Sequence, residues 1–362
     1  TYDKAELLSN PDVNVIVELI DDADAAFEIV STALRSGKSV VTANKKMLAE
    51  HLPELLELQK QYNGSLLYEA AACASIPVIR NLEEYYDTDL LQSLQGIVNG
   101  STNYILTKIF RDNLSFADAL AEAQAKGFAE TDPKLDVEGY DAKHKLTLLL
   151  AHAFGITTAP EAIFNLGIQR ISDLDARYAK EKGYKIKLLA HAQKVEDKVI
   201  AFVAPQFVKS THPFYYVEDE YNGVQVEGCF ADKQFFVGKG AGSHPTASAV
   251  LSDISALSYD YRYEYKKSKQ NTNLSLTDAV GVDVFVSHPT GVQIAESEFI
   301  EIYERYQSIH ENYWVGRISF QKLIQSQWVN NEQVSVVLAA DANFRNLKEQ
   351  TVATLLEPEF GC

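Results

Sequence analysis

The sequence predicts an α/β protein in three parts: half of a doubly wound parallel sheet, a larger α+β region, and a small C-terminal α/β appendage. Three observations lead to this prediction. Short apolar, β-branched runs alternate with helical segments over residues 1–70. After residue 70, segments in which apolar and polar residues alternate are interleaved with helical segments. The length of 362 residues suits two or three domains.

The first part has the order strand, helix, strand, helix, strand. The elements are a strand over 14–20, a helix over 24–36, a strand over 39–42, a helix over 46–62 and a strand over 65–70. This order is one mononucleotide-binding half of a Rossmann-type sheet. The sequence contains no G-x-G-x-x-G loop, which holds pyrophosphate in the first half of such folds. We therefore expect a partial Rossmann-type domain that lacks the phosphate-binding half.

The middle of the chain mixes helices with strands. The predicted helices cover 115–127, opened by a capping box at Ser115, then 141–154 and 246–257. Alternating segments predict strands at 199–203 and 225–227. Tyr259, Tyr261, Tyr263 and Tyr265 alternate with polar or charged residues, and this spacing also predicts a strand.

The last hundred residues predict the small appendage. Polar residues 266–273 are expected to form a linker. Strands are predicted at 282–286, 313–318 and 334–338, separated by apolar segments of helical period at 299–306 and 320–324.

Composition argues against several classes of partner. A net charge of −17 opposes binding to a phosphate backbone, so we expect no nucleic-acid partner. No apolar run is long enough to span a bilayer, and we expect no membrane partner. The three cysteines, Cys73, Cys229 and Cys362, lack metal-ligand spacing, which favours reduced thiols and a cytoplasmic location.

The densest polar stretch runs over 127–145 and permits two interpretations. Asp141 and Lys145 stand at i and i+4, on one face of a predicted helix. One interpretation is a surface ion pair beside an acidic loop that caps the helix. The other is a cleft in which carboxylates bind a cationic amino group while the lysine transfers a proton. Only the second interpretation requires Lys145 to face a cleft.

Three further segments could bind ligands. An apolar strand enters small polar residues at Asn99, Gly100 and Ser101 before a predicted helix, an arrangement that points N–H groups at one spot. A glycine-rich turn over 238–245 precedes another helix, and Lys45 closes a parallel strand at its carboxyl end. Simple capping, a tight turn and a solvated lysine are the alternatives.

Together these segments resemble homoserine dehydrogenases over residues 12–257. The most specific part is the pattern A-x-x-x-G-F-A-x-x-D-P-x-x-D-V-x-G-x-D-x-x-x-K, fulfilled from Ala123 to Lys145. The segments 40–45, 96–106 and 240–249 look like further family segments. The resemblance implies interconversion of L-aspartate 4-semialdehyde and L-homoserine with NAD(P), by a homodimer.

The resemblance also implies residue roles. Lys145 would donate and accept the proton, with Lys45 as a second lysine at the reacting centre. The implied substrate-binding residues are Glu130, Asp136, Asp141 and Thr102. The implied cofactor-binding residues are Ile20, Thr42, Lys45 and Gly242. The implied monovalent cation (Na⁺ or K⁺) site consists of the Glu69 side chain and the carbonyls of Ala72, Ala74 and Ile76.

The expected domains follow from this resemblance. They are a partial NAD(P)-binding domain (1–75), a substrate-binding, catalytic and dimerisation domain (76–240), a helix and strand returning to the nucleotide domain (241–262) and an appendage of unassigned role (263–362). The chain departs from the family at Ala74-Ser75, where relatives carry glycine, and in the missing N-terminal half-fold. Two alternatives stay open: a non-catalytic dimerising homologue, and another semialdehyde-handling oxidoreductase on the same scaffold.

Overall fold

A computed structural model describes residues 3–87, 90–270, 274–339 and 344–346. Cys362, the end of the expected linker at 271–273 and the C-terminal end of the expected appendage lie outside the described residues. No helix of the described part is both long enough and apolar enough to cross a bilayer.

The described strands form two sheets. They are β1 Val15–Glu18, β2 Ser39–Thr42, β3 Leu66–Leu67, β4 Leu91–Ile97, β5 Phe164–Asn165, β6 Tyr184–Val195, β7 Lys198–Lys209, β8 Tyr221–Gly228, β9 Asp232–Lys239, β10 Ser275–Leu276, β11 Val280–Pro289, β12 Phe299–Gln307, β13 Glu311–Ser319, β14 Ser335–Leu338 and β15 Arg345–Asn346. The first three make a parallel sheet in the order β1-β2-β3. The main path of the large sheet is β12-β13-β11-β14-β7-β6-β4-β8-β9, with β5 and β10 on β7 and β15 on β11.

The described helices flank the small sheet and pack on both faces of the large one. They are α1 Lys4–Ser9, α2 Ala23–Arg35, α3 Lys45–Tyr62, α4 Ala70–Cys73, α5 Val78–Arg80, α6 Gly100–Arg111, α7 Phe116–Ala125, α8 Lys134–Val137, α9 Tyr140–Phe154, α10 Asp173–Glu181, α11 Ser243–Leu257, α12 Lys266–Lys269 and α13 Phe320–Gln325. Helix α9 lies on one face of the large sheet and α13 on the other.

The small sheet confirms the expected half of a Rossmann-type fold. Strands β1 and β2 are joined by α2, and β2 and β3 by α3, with all pairs parallel. Strand β1 lies at the edge, and its Val17 is 42% exposed. The third strand is shorter than predicted, because it ends at Leu67 and the alanine-rich residues after Glu69 form α4.

Two predictions for the second half of the chain are wrong. Residues 299–306 form strand β12 instead of a helix. Its pairing with β13 shifts register between Phe299 and Glu301 and again between Ile302 and Glu304. Each irregularity inserts a residue and breaks the alternation of the strand, so the apolar spacing imitates a helix.

The tyrosine stripe over 259–265 also forms no strand. The N–H groups of Glu264 and Tyr265 donate to the Glu83 carboxylate, each over 3.0 Å. Tyr263 is 1% exposed and packs edge-on against Tyr68. Alternate side chains are therefore buried as in a strand, but a carboxylate takes the place of a neighbouring strand. Part of the expected linker that follows is the short helix α12.

Helix α9 is buried for most of its length and lies between the two sheets. Eight consecutive residues from Lys145 to His152 are buried. Near its end, His152 Nδ1 lies 2.6 Å from Glu83 Oε1 and His152 Nε2 lies 2.8 Å from the Tyr68 hydroxyl. These contacts fix the C-terminal part of α9 against the end of β3, and the N-terminal part then reaches the cleft described next.

Candidate active site

A cleft of about 880 Å³ opens where the small sheet meets the helices of the large one. Its walls come from the carboxyl end of β2, from α4, from the start of α6 and from the start of α9. The glycine turn before α11 closes the remaining side. Carboxyl ends of parallel strands are the usual ligand-binding edge of open α/β sheets.

Asp141 stands at the centre of the cleft between two lysines. Its carboxylate oxygens lie 2.8 Å from Lys145 Nζ and 3.2 Å from Lys45 Nζ. Burial by itself would raise the pKa of Asp141, but the two ammonium groups outweigh burial and hold that pKa below its ordinary value. Asp141 is therefore a fixed negative charge.

The backbone before α9 explains why Asp141 is so placed. Gly139 adopts φ +84°, a left-handed conformation that starts the helix. A side chain at this position would be strained and would lie 3.3 Å from the carbonyl oxygen of Leu166. The glycine turn thus allows the helix to begin one residue before Asp141.

Lys145 is buried, with 9% of its side chain exposed. Its Nζ donates to the Val98 carbonyl over 2.7 Å in addition to contacting Asp141. An ammonium has three N–H donors, so one donor remains for a ligand in the cleft. Lys145 lines the cleft, as the second interpretation of this stretch requires.

Lys45 reaches the same carboxylate from the helix that joins β2 and β3 of the small sheet. It is the first residue of α3, and the Asn44 side chain caps this helix by accepting from the Met47 N–H. The side chain of Lys45 is 41% exposed at the cleft. The charge of Asp141 raises the pKa of Lys45, so this lysine stays positively charged.

A second carboxylate, Asp136, lies beside Asp141. The Asn99 amide nitrogen donates to Asp136 Oδ1 over 2.7 Å and to Asp141 Oδ2 over 2.8 Å. Burial, followed by the charge of Asp141, raises the pKa of Asp136. Asn99 was not singled out as a side chain in the sequence, although its position between a strand and a helix was a signal.

The two remaining substrate-binding candidates lie away from the cleft wall. Thr102 is 1% exposed, and its hydroxyl donates to the Asn99 carbonyl. Glu130 is exposed in the loop before α8, with its carbonyl accepting from Gln124. Neither is among the residues that line the cleft. The neighbours of Thr102, Gly100 and Ser101, do line it.

Two of the four cofactor-binding candidates, Lys45 and Gly242, line the cleft, whereas Ile20 and Thr42 are not among its lining residues. Gly242 lines it with φ +109°, immediately before α11. Ile20 follows β1, is 41% exposed, and its carbonyl accepts from Asn44. Thr42 is fully buried at the end of β2 and donates its hydroxyl to Glu18, so its hydroxyl faces inward.

The residues of the expected cation site surround the turn after α4. The Glu69 carboxylate accepts the N–H groups of Ile79 and Arg80, each over 2.9 Å. Burial raises the pKa of Glu69 to about 7. Ala74 adopts φ +43°, which is unusual for alanine and turns the backbone sharply. Ala72 and Ile76 are buried on either side of this turn.

Three further charged residues at the cleft had no distinct sequence signal. Lys126, Glu220 and Lys239 line it, and Lys239 Nζ lies 3.3 Å from Glu220 Oε1. They come from three separate elements, so only the folded chain brings them together.

Comparisons with known proteins agree on one family. The family model described as homoserine dehydrogenase matches residues 77–255, and the model described as homoserine dehydrogenase, NAD binding domain, matches residues 1–69. The homoserine dehydrogenase of Bacillus subtilis is 38% identical over 262 residues, which cover 72% of this chain and 60% of that protein. The chain thus spans about three-fifths of the length of that curated relative.

Solved structures give the same result. The crystal structure of a homoserine dehydrogenase from Thiobacillus denitrificans superposes with a TM-score of 0.82 at 30% identity, covering 94% of this chain and 85% of that one. A hyperthermophilic archaeal homoserine dehydrogenase mutant in complex with NADPH gives a TM-score of 0.63 at 28% identity, covering 73% of this chain and 77% of that one.

Proposed function

The chain belongs to the homoserine dehydrogenase family, and we propose on that basis that it catalyses the reversible NAD(P)-dependent interconversion of L-aspartate 4-semialdehyde and L-homoserine. This reaction serves the synthesis of threonine, methionine and isoleucine. The observation that carries the proposal is the buried Lys145 beside Asp141 in a cleft that Lys45 enters from the nucleotide-binding sheet.

Proton transfer is the task of Lys145. When bound, the nicotinamide supplies a hydride to the aldehyde carbon or accepts one from the alcohol carbon. During reduction the carbonyl oxygen gains negative charge, and the free N–H of Lys145 donates a proton to it. In the reverse direction the amine of Lys145 takes the hydroxyl proton. Lys45 adds a second positive charge near the same oxygen.

Substrate orientation is the task of the carboxylates. The ammonium group of homoserine would pair with Asp136 and Asp141, which both accept from the Asn99 amide in the cleft. Glu130 is the third candidate, and its exposed loop would have to approach the cleft to contribute. Thr102 would contribute indirectly, because its hydroxyl stabilises the start of α6, where Gly100 and Ser101 line the cleft.

A nicotinamide dinucleotide would lie at the end of the cleft formed by the glycine turn before α11. Gly242 and the N-terminus of α11 line this end without a side-chain cap on the helix, which suits a phosphate or another anionic group. Lys45 would contact the cofactor directly. Ile20 and Thr42 would shape the strand ends beneath it.

The experiment that tests this function is homoserine-dependent reduction of NAD⁺ and NADP⁺ by the 362-residue chain. We expect turnover with a high KM for the dinucleotide, because the sequence contains no G-x-G-x-x-G loop to hold pyrophosphate. Absence of turnover at saturating homoserine and dinucleotide would favour the non-catalytic homologue. Turnover of a different semialdehyde in preference to aspartate semialdehyde would favour the other oxidoreductase.

The proposal includes a monovalent cation, Na⁺ or K⁺, at Glu69 and the carbonyls of Ala72, Ala74 and Ile76. The structural support is that burial disfavours the ionised form of Glu69, so a cation beside the carboxylate would offset that cost. The chain has alanine and serine at positions 74 and 75 of the turn after α4. Such a cation would hold the turn after α4, which lines the cleft through Ala70, Ala71 and Ser75.

For the cation we expect KCl or NaCl to raise the Tm of the chain by several degrees over choline chloride at equal ionic strength. A ligand that binds only the folded state stabilises it by mass action. The variant Glu69→Gln should lose this difference while remaining folded. Glu57→Gln, on an exposed face of α3, is the matched control and should retain it. Equal melting curves of the wild type in all three salts would contradict the site.

We expect the chain to form a homodimer in the cytoplasm through the face of the large sheet opposite α9. A depression of about 310 Å³ lies on strands β4, β6, β7 and β8 of this face. In it, His191 Nδ1 and Gln206 Nε2 are buried without a hydrogen-bond partner among the described residues, and a second copy could supply partners. Sedimentation equilibrium tests the assembly, and a monomer at micromolar concentration would contradict it. The free thiols of Cys73 and Cys229 suit a reducing compartment.

A further inference from the structure

One carboxamide joins the two carboxylates of the cleft. The Nδ2 group of Asn99 has two N–H donors, and it lies 2.7 Å from Asp136 Oδ1 and 2.8 Å from Asp141 Oδ2. Asn99 is 5% exposed and lines the cleft. Each donor is thus used on a different carboxylate.

The other atom of the same amide has a separate task. Asn99 Oδ1 accepts the Thr102 N–H over 2.9 Å and caps helix α6. This bond fixes the rotation of the amide, because exchanging the oxygen and nitrogen would break the cap and point an acceptor at two carboxylates. The orientation of Asn99 is therefore determined on both sides.

The electrostatics of the pair require such a bridge. The charges that face Asp136 are Asp141 and Lys145 on α9 and Lys45 at the start of α3. Both ammonium groups lie within ion-pair distance of Asp141, so Asp136 depends more strongly on neutral donors. Asn99 and Ser101 are the neutral groups that favour its ionised form.

We infer that Asn99 is a positioning residue for the proposed reaction: its amide keeps Asp136 and Asp141 side by side and charged to receive the substrate ammonium. This inference rests on the proposed function and deepens it, since it names what makes the cleft selective for a cationic amino acid over an uncharged alcohol.

Two variants separate the bridge from the helix cap. Asn99→Ser retains an oxygen that can cap α6 but loses both donors to the carboxylates. Asn99→Asp also retains a capping oxygen and adds a third negative charge beside the pair. Ser115→Ala is the control, because it removes the cap of α7 and leaves the two carboxylates untouched.

For Asn99→Ser we expect the KM for homoserine to rise about tenfold or more, because both charge-assisted hydrogen bonds to the carboxylates are lost. The KM for the dinucleotide and the Tm should change little. The acid limb of the pH profile of kcat/KM for homoserine should move to higher pH, because the hydrogen bonds from Asn99 favour the ionised form of Asp136. Asn99→Asp should move the acid limb further in the same direction. Ser115→Ala should change neither the acid limb nor the KM for homoserine.

The outcomes separate this inference from the proposed function. If the wild-type chain turns over homoserine and Asn99→Ser has the same homoserine KM and the same acid limb, the positioning role is wrong and the function stands. Parallel changes in Asn99→Ser and Ser115→Ala would show that Asn99 acts only as a helix cap. If the wild-type chain does not turn over homoserine, both the proposed function and the positioning role of Asn99 are wrong.

Discussion

Replacing Lys145 with alanine is expected to lower kcat for homoserine oxidation by about three orders of magnitude, the usual range for loss of a general acid or base. Lys145 Nζ is the buried donor of the cleft, held by Val98 and Asp141 with one N–H left over. Water cannot replace it easily, because the side chain is 9% exposed. The measurement is steady-state turnover with both dinucleotides, together with a thermal melt.

The matched control for this variant is Lys143→Ala. Lys143 lies two residues earlier on α9, points at the Tyr140 ring and does not line the cleft. It should retain kcat within about twofold, as expected for a substitution outside the site. If Lys145→Ala retained wild-type turnover, Lys145 would not be the group that transfers the proton. Unfolding of that variant would be seen in the melt, and Lys145→Met, which keeps the aliphatic stem, would then replace it.

The small sheet could be predicted because its sequence signals are local. Strand β2 is predicted at 39–42 and observed as Ser39–Thr42, since a buried parallel strand appears as a short β-branched run between helices. Helix α2 follows its N-cap Asp22 and ends just before Gly37. The capping residues and the apolar residues that define such an element all lie within it or next to it in sequence. The element can therefore be predicted without knowledge of its tertiary contacts.

The errors occur where tertiary contacts override local pattern. Strand β12 carries two register shifts against β13, and these give its apolar residues a helical spacing. The tyrosines at 259–265 alternate because two are buried against Tyr68 and His152, while their backbone is held by Glu83. In both cases a contact outside the segment decides its structure, and the periodicity of the segment carries no information about that contact.

The site divides in the same way. The pairing of Asp141 with Lys145 is a helical i, i+4 contact and follows from spacing. The contact between Asp141 and Lys45 joins residues 96 positions apart and depends on how the two sheets meet. Two polar side chains also point into the protein. The hydroxyl of Thr102 donates to the Asn99 carbonyl, and the hydroxyl of Thr42 donates to the Glu18 carboxylate. The resemblance assigned both threonines to ligand binding, but neither is among the residues that line the cleft.

Replacing Asp141 with asparagine is expected to lower kcat/KM for homoserine by roughly 10²–10³-fold. The substitution removes the negative charge that is proposed to bind the substrate ammonium and to hold Lys145. The amide is nearly isosteric, so the cleft keeps its shape. Its charge is lost, and Lys145 becomes a buried ammonium whose only anionic contact within 4 Å in the described structure is gone. Breaking a buried pair on one side costs about 3 kcal/mol, so the Tm should fall as well.

Comparison with Asp173→Asn isolates the effect. Asp173 is exposed in the first turn of α10, and its variant should keep both activity and Tm. The kinetic split then assigns the role of Asp141. A rise in homoserine KM with retained kcat would mean that Asp141 only binds the ammonium group. An equal fall in kcat would mean that it also orients Lys145, as its 2.8 Å contact with the Nζ group implies. If neither constant changed, the charge of Asp141 would have no part in the reaction, and the ion pair with Lys145 would be structural.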